Sequence, residues 1–255
     1  MKIKLTGKNL QDIRPLLKTF NLEETDGIPD VVISHGGDGA MLGAVREFAG
    51  LPVFPIRDAG TAPQCEEHFC AGQLAALQKG ELNKTILNMV SGEVGGKVIY
   101  GVNDVFLHHA DPSSALRYRV WIDGELYANE VVGDGVGIAS IHGSTAYYRS
   151  ITHSLFRVGI GLAFSNSTEE VNHLVLNEKS QITIEIVRGP GVLVADNSPD
   201  HIAVKEGDVV KFRQSEVTAE LWGLDNFMCP KCRVLRHPNK LPFRGFFSVD
   251  KENRN

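Results

Sequence analysis

Four polar clusters in this chain combine residue types that can do chemistry: Ser34-His-Gly-Gly-Asp-Gly39, Asn103-Asp104, Gly133-Asp134-Gly135 and Gly143-Ser-Thr-Ala-Tyr147. The first sets Asp38 among Gly36, Gly37 and Gly39, directly after the apolar run Val31-Val-Ile33. Ala40, Met41, Leu42, Ala44, Val45 and Phe48 then recur at helical spacing. The glycines therefore read as a strand-to-helix turn. Bare backbone lets a ligand phosphate approach the N–H groups at a helix start, and Asp38 becomes a carboxylate held beside that phosphate. Asn103 and Asp104 interrupt an otherwise apolar strand. One of them faces the buried side and needs partners there, because an unpaired buried carboxylate is costly. Taken alone, Gly133-Asp134-Gly135 reads as a hairpin turn. The run Gly143 to Tyr147 opens a helix, with Ser144 or Thr145 as its N-cap.

The elements that must position these clusters change character along the chain. From the first residues to about Ala76, strand and helix alternate: 2–5, 10–20, 31–34, 40–48, 53–56 and a helix around 68–79. This βαβα grammar calls for a parallel sheet with ligands at the carboxyl ends of its strands, where the GGDG turn falls. After Lys97 the segments 98–108, 117–122, 136–139, 157–164, 181–187, 192–195, 209–213 and 217–222 read as strands. Asp123-Gly124, Gly189-Pro190 and Gly207-Asp208 supply turns between them. The fold class is thus an α/β N-terminal domain with a parallel sheet, followed by a mainly antiparallel β-rich second domain with one helix near 144–153. Residues 1–90 are expected to form the first domain, 91–225 the second, and 226–255 a tail that can pack back on the first. The boundary is expected in the polar stretch 83–96.

A chain of 255 residues with 42% hydrophobic residues can bury a sizeable core, and its length suits one large domain or, better, two. The net charge of −5, with no dense Lys/Arg track, argues against a nucleic-acid partner. No window approaches a membrane span, and the basic start Met-Lys-Ile-Lys-Leu-Thr-Gly lacks the apolar stretch of a leader. A cytoplasmic protein without a membrane partner is expected, with its four cysteines reduced. They form two close pairs, Cys65/Cys70 and Cys229-Pro-Lys-Cys232. The second has zinc-ligand spacing but supplies only half of a four-ligand site, and nothing in sequence brings His68 or His237 to it. The metal ligands are left unassigned, and free thiols in a loop and a helix are the expectation. Neither the P-loop pattern G-x-x-x-x-G-K-[ST] nor the dinucleotide pattern G-x-G-x-x-G is present.

The order of the clusters is more telling than any one of them. Gly36-Gly-Asp-Gly39, then Asn103-Asp104, then Gly133-Asp-Gly135 with Gly143-Ser-Thr-Ala-Tyr147 close behind resembles the NAD kinase family, within the wider superfamily of diacylglycerol, sphingosine and 6-phosphofructo-kinases. The likeness runs from about Val31 to Trp222. It implies phosphorylation of the 2′-hydroxyl of the adenosine ribose of NAD, with ATP or polyphosphate as donor and Mg²⁺ as cofactor. It also implies Asp38 as the catalytic base and Gly37 and Gly39 on the donor phosphates. Asn103 and Asp104 are implied at the adenine and ribose of the acceptor, with Ser144, Thr145, Ala146 and Tyr147 lining the same pocket. Asp134 is implied at the nicotinamide end, and His142 is included through its place just before the Gly-Ser-Thr-Ala-Tyr element. A homodimer or homotetramer, with Asp134 closing a neighbouring subunit's site, completes the expectation.

Several positions depart from the family's pattern. Ala40 stands where a threonine usually follows GGDG, and Ser140-Ile141-His142 replaces Thr-Pro-Thr. Ile56-Arg-Asp-Ala-Gly-Thr-Ala-Pro63 replaces a glycine-rich segment, and the Gly-Gly-Pro after the helix is missing around Ile151-Thr152-His153. Fewer residues precede GGDG than is usual. Asp38 and the Asn103-Asp104 pair are kept, which favours a working kinase. The alternatives are a kinase of the superfamily with another acceptor and a catalytically weak nucleotide-binding protein, favoured by His142 and the loop 57–63.

Overall fold

The computed structural model of the chain describes residues 1–236, which fold as two units. The first takes Met1–Ile86 and resumes at Glu220. Its elements run β1 (Lys2–Gly7), α1 (Leu10–Leu17), β2 (Glu23–Glu24), β3 (Val31–His35), α2 (Asp38–Glu47), β4 (Val53–Ile56) and α3 (Cys70–Lys79). The strands pair in the order β2-β1-β3-β4, all parallel. Every residue of β3 is buried. A parallel strand covered on both faces has no solvent side, hence the unbroken Val31-Val-Ile33. Ile13 and Leu17 of α1 and Leu74 and Leu77 of α3 pack with Ile3, Ile33 and Phe54 in the core of this unit. The register sets Gly7 beside His35 and His35 beside Ile56, so the carboxyl ends of β1, β3 and β4 finish together. The three exits, Lys8-Asn9, Gly36-Gly37 and Arg57-Asp58, therefore emerge at one edge of the sheet.

The second unit spans Leu87–Ala219. Along the chain come β5 (Lys84–Val94), β6 (Lys97–Gly101), β7 (Asp104–His109), β8 (Leu116–Ile122), β9 (Glu125–Gly133), β10 (Gly135–Ala139), α4 (Tyr147–Thr152) and β11 (Ile160–Ser165). They are followed by β12 (Leu174–Leu176), β13 (Gln181–Arg188), β14 (Gly191–Ala195), β15 (Ile202–Val204) and β16 (Val209–Trp222). One antiparallel sheet of six strands has the order β12-β11-β10-β7-β14-β15. In a second layer β13 lies antiparallel to β16 and β8, and β8 to β9. Val105, Leu107, Val136 and Ile138 of the first layer meet Tyr118, Val120, Ile184 and Phe212 of the second in a sandwich core. The chain then returns to the first unit, where Leu221 pairs with Val53 of β4 and α5 (Leu224–Phe227) and α6 (Pro230–Arg236) complete the described residues.

The α/β first unit and the antiparallel second unit agree with the sequence reading. Several elements within them correct it. The strand expected at 98–108 is two strands, β6 and β7, broken by the bend at Val102-Asn103. The strands expected at 209–213 and 217–222 are one, β16, and most of the stretch expected to be a polar boundary at 83–96 is the strand β5. β9 has no period-two signature because Glu125, Leu126, Asn129 and Glu130 are all exposed. The helix expected at 144–153 is a 3-10 turn at His142–Thr145 followed by α4. Among the described residues no helix is long and apolar enough to cross a membrane. His237 lies outside the described residues.

Candidate active site

The chain leaves β3 at His35 and turns through Gly36 into α2. Gly36 has φ 149°, and a Cβ there would lie 2.8 Å from the Ala40 Cβ, so both conformation and space call for glycine. Gly37 is the N-cap in extended backbone, while Asp38 and Gly39 already belong to the helix. The expected glycine loop is therefore shorter: the N–H groups of Ala40 and Met41 both donate to the Gly37 carbonyl and draw Asp38-Gly39 into the first helical turn. The Asp38 carboxylate is exposed, yet it is gripped by the buried guanidinium of Arg57, the residue after β4. Arg57 Nη1 donates to Oδ2 at 3.3 Å and Nη2 to Oδ1 at 3.0 Å. Arg57 is itself fixed, its Nε donating to the Phe227 carbonyl at 3.3 Å and its Cζ lying 3.6 Å from the Phe227 ring centre.

The next residue locks the same loop. Asp58 is buried and accepts from Asn9 Nδ2 at 2.6 Å, the Gly60 N–H at 2.9 Å and the Thr61 hydroxyl at 3.0 Å. Burial pushes the Asp58 carboxyl up, but these hydrogen bonds together outweigh it and hold the group below its ordinary range. A helix start and a fixed guanidinium both favour an anion at this turn. An incoming phosphate there meets Asp38 as a competitor for Arg57.

The second unit builds a different kind of place. Along β7, Val105 and Leu107 point into the sandwich core, so Asp104, Phe106 and His108 share the opposite face. With Val194 and Asp196 from β14 and its exit, and Tyr147 from α4, they line a cavity of about 300 Å³. Tyr147 meets Phe106 edge-on, ring centres 4.8 Å apart, and its hydroxyl lies 3.4 Å from that of Ser165. Asp196 accepts the backbone N–H groups of Val102, Asn103 and Asp104 at 2.8, 2.7 and 3.2 Å, which fixes the bend between β6 and β7. Burial, then the Asp196 charge, pushes the Asp104 carboxyl up to about 7, against a smaller pull from the Tyr147 N–H. His108 is held below the ordinary imidazole range, first by burial and then by His109, with Asp134 pulling the other way.

The expected site residues distribute unevenly over this frame. Asp38, Gly37 and Gly39 lie at the turn of the first unit; Asn103, Asp104, Asp134 and Tyr147 lie in the second. The Asn103 carbonyl accepts the Ser140 N–H, and a Cβ on Gly143 would sit 1.9 Å from that carbonyl oxygen. Gly143 thus marks a close approach of two backbones. The expected N-cap role of Ser144 or Thr145 is not found: Ile141 stands at the N-cap of the 3-10 turn and Ala146 at that of α4, while the Ser140 hydroxyl accepts the Gly143 N–H at 3.0 Å and donates to the Val102 carbonyl at 2.6 Å. Ser144 is buried, Thr145 exposed and His142 half-buried in the 3-10 turn, Ala146 precedes α4, and of this run Tyr147 alone lines the cavity. Gly133-Asp134-Gly135 is not a hairpin, because β9 pairs with β8 in one layer and β10 with β7 and β11 in the other. At this strand switch Asp134 accepts from Asn166 Nδ2 at 2.7 Å. The cavity-lining role of Phe106, His108, Val194 and Asp196 was not read from the sequence. Period-two counting from Asp104 finds the first two; the turn-like Ala195-Asp-Asn-Ser-Pro199 at the end of a strand is the signal for Asp196.

The family of ATP-NAD kinase C-terminal domains matches residues 102–223. An NAD kinase of Polaromonas sp. is 28% identical over 200 residues, covering 73% of this chain and 68% of that protein. Yeast NADH kinase, solved in complex with NADH, superposes with a TM-score of 0.76 at 18% identity, covering 98% of this chain and 90% of that one. An NAD kinase from Archaeoglobus fulgidus, solved in complex with ATP, gives a TM-score of 0.72 at 18% identity over 92% and 99% of the two chains. The fold is that of these two kinases, and residues 102–223 match the C-terminal domain of the ATP-NAD kinases.

Proposed function

We propose that the chain is an NAD kinase, a phosphotransferase that moves the γ-phosphoryl group of ATP onto the 2′-hydroxyl of the adenosine ribose of NAD, giving NADP and ADP. The observation that carries this reading is the Asp38 turn, where an exposed carboxylate stands at a helix start beside a fixed guanidinium. The acceptor hydroxyl is a weak nucleophile. As its oxygen bonds to the γ-phosphorus, Asp38 takes its proton, and the bond to the β–γ bridging oxygen breaks with the electron pair leaving on ADP. Arg57 orients Asp38 and adds positive charge where the donor phosphates arrive. The turn recognises a phosphoanhydride, so polyphosphate is the alternative donor. Mg²⁺ supplies charge neutralisation on those phosphates. One exposed carboxylate, Asp38, fits an ion carried in on the donor better than a cage built from protein.

Asn103, Asp104 and Tyr147, with Asp196 behind the bend, hold the adenosine half of the acceptor, and Asp134 serves its nicotinamide end. His142, Ser144, Thr145 and Ala146 support the turn that sets Tyr147. The test is phosphoryl transfer by the purified protein with NAD and NADH as acceptors and ATP and polyphosphate as donors. ATP-dependent formation of NADP supports the reading; tight NAD binding without turnover overturns it. That second outcome would favour a nucleotide-binding protein of weak activity, a reading to which the double grip of Arg57 on Asp38 lends weight.

The assembly is proposed as a homodimer or homotetramer in which Asp134 serves the site of a neighbouring copy. The six-stranded sheet ends in the short strands β12 and β15, and sheet edges invite pairing. Mixing inactive Asp38→Asn and inactive Asp134→Ala proteins is expected to restore part of the activity once subunits exchange. A monomeric mass by light scattering with full activity would refute it.

A further inference from the structure

We propose that Cys65, His68, Cys229 and Cys232 hold a structural Zn²⁺ ion. The two cysteine pairs of the sequence split differently in space: Cys70 stays apart, its Sγ 4.0 Å from His35 Nε2, and His68 takes its place. One ligand atom from each of the four residues lies within 4.8 Å of every other. Cys65 Sγ is 3.3 Å from Cys232 Sγ and 3.1 Å from His68 Nδ1, and His68 Nδ1 is 3.4 Å from Cys232 Sγ. A tetrahedral zinc with bonds of roughly 2.3 Å to sulfur sets ligand atoms roughly 3.8 Å apart, so the observed spacing brackets that of a closed site.

Local structure explains how each pair presents two ligands. The His68 N–H donates to the Cys65 carbonyl at 2.9 Å, a 3-10 turn that puts residues three apart on one side. Cys229 and Cys232 repeat that spacing where the chain enters α6, and both are buried. The Cys65 N–H points at Cys232 Sγ from 3.3 Å, a backbone donor of the kind that supports a metal thiolate. The Gln73 side chain donates to the His68 carbonyl at 2.6 Å, and Lys231 pairs with Glu67 at 3.5 Å beside the cluster. Without a cation, three sulfurs and an imidazole nitrogen share this space with only weak S–H hydrogen bonds among them. With Zn²⁺, all four become ligands and none is left over, the mark of a structural rather than a catalytic centre.

The ion would clasp two segments 167 positions apart in sequence. One runs on from Arg57 through the loop that ends at His68. The other starts at Phe227, whose ring and carbonyl hold Arg57. The clasp therefore keeps the guanidinium in front of Asp38, a consequence that rests on the kinase reading, whereas the metal site itself does not.

The test is elemental analysis of the full chain purified under reducing conditions without chelator, together with Co²⁺ substitution. About one zinc per chain is expected, along with a tetrahedral Co²⁺ spectrum carrying thiolate charge-transfer bands. Cys232→Ser and His68→Ala should lose that signature, while Cys70→Ser should keep it. If the first two fail to fold, stripping wild-type protein with a chelator decides the matter: Tm should fall and recover on adding Zn²⁺. Wild-type protein that neither carries nor binds zinc, a spectrum lost equally in Cys70→Ser, or a Cys65–Cys232 disulfide trapped by rapid alkylation would each overturn the proposal. None of these readouts depends on NAD turnover.

Discussion

Two regions of this molecule treat the charge of a carboxylate in opposite ways. At the turn of the first unit, Asp38 is exposed and shares both oxygens with the guanidinium of Arg57. In the second unit, Asp104 and Asp196 line one cavity, and Asp104 is buried with its carboxyl pushed up to about 7 by burial and by Asp196. The first arrangement is open to charge that arrives with a ligand, since phosphates can take over Arg57 and free Asp38. The second suits a ligand that brings hydrogen-bond donors and stacking surface but no charge, such as ribose hydroxyls and a base against Phe106 and Tyr147. On the function proposed above, the first region serves reaction and the second recognition, and substitutions in the two should therefore move different kinetic constants.

The largest effect is expected at the first. Asp38→Asn keeps shape and removes the proton acceptor that the proposed function assigns, so kcat should fall by about two orders of magnitude or more with NAD affinity within several-fold. Arg57→Met tests the other half of the pair. It should raise KM for the donor by about tenfold to a hundredfold, the loss of charge-assisted hydrogen bonds to phosphate, and leave KM for NAD alone. Steady-state kinetics with each substrate varied in turn checks both. A near-normal kcat in Asp38→Asn, or an Arg57→Met effect confined to NAD, would erase the distinction between the two regions.

A smaller effect, on recognition, is expected from Gly143→Ala. The added Cβ would stand 1.9 Å from the Asn103 carbonyl oxygen, so the bend carrying Asn103 and Asp104 must shift. Forcing an extra carbon into a packed site costs about 1–3 kcal/mol. A lower Tm is expected together with a KM for NAD raised about tenfold, and kcat at saturation should change far less. An unchanged KM would show that the bend does not position the acceptor.

How much of this was legible in the sequence depends on the range of the interactions involved. The GGDG turn was readable because a strand, a glycine demand and a helical repeat are neighbours in the chain, and the βαβα start reads well for the same reason. The order of polar clusters carried the resemblance to NAD kinases. Arg57 could be seen only as a departure, because its partners Asp38 and Phe227 lie 19 and 170 positions away. Asp196 reads as a turn residue until the six-stranded sheet sets β14 beside β7. Cys65 and Cys70 look like a pair by spacing, whereas the 3-10 turn selects Cys65 with His68. β9 escaped because an edge strand with exposed Glu125 and Glu130 needs no alternating pattern.

A pH effect sharpens the comparison from the side of the second region, because there burial holds a carboxyl well above its ordinary range. Free Asp104 is expected to titrate near 3.8 in the unfolded chain and at about 7 in the folded one. The folded state therefore holds a proton that the unfolded state has released throughout that window. The contribution of this group to stability is complete below pH ~4, falls as pH rises, and is lost once pH passes ~7, at up to ~1.4 kcal/mol per pH unit. Asp104→Asn removes this titration. In the absence of NAD, the Tm of the variant relative to wild type should climb by roughly 6–13 °C between pH ~4.5 and pH ~8, given roughly 2–4 °C per kcal/mol for a chain of this size. Saturating NAD should flatten that climb, because hydroxyl donors delivered to Asp104 favour its ionised form. Parallel Tm–pH curves for wild type and Asp104→Asn would show that the cavity does not hold Asp104 protonated, and the opposition between the two carboxylate regions would reduce to exposure alone.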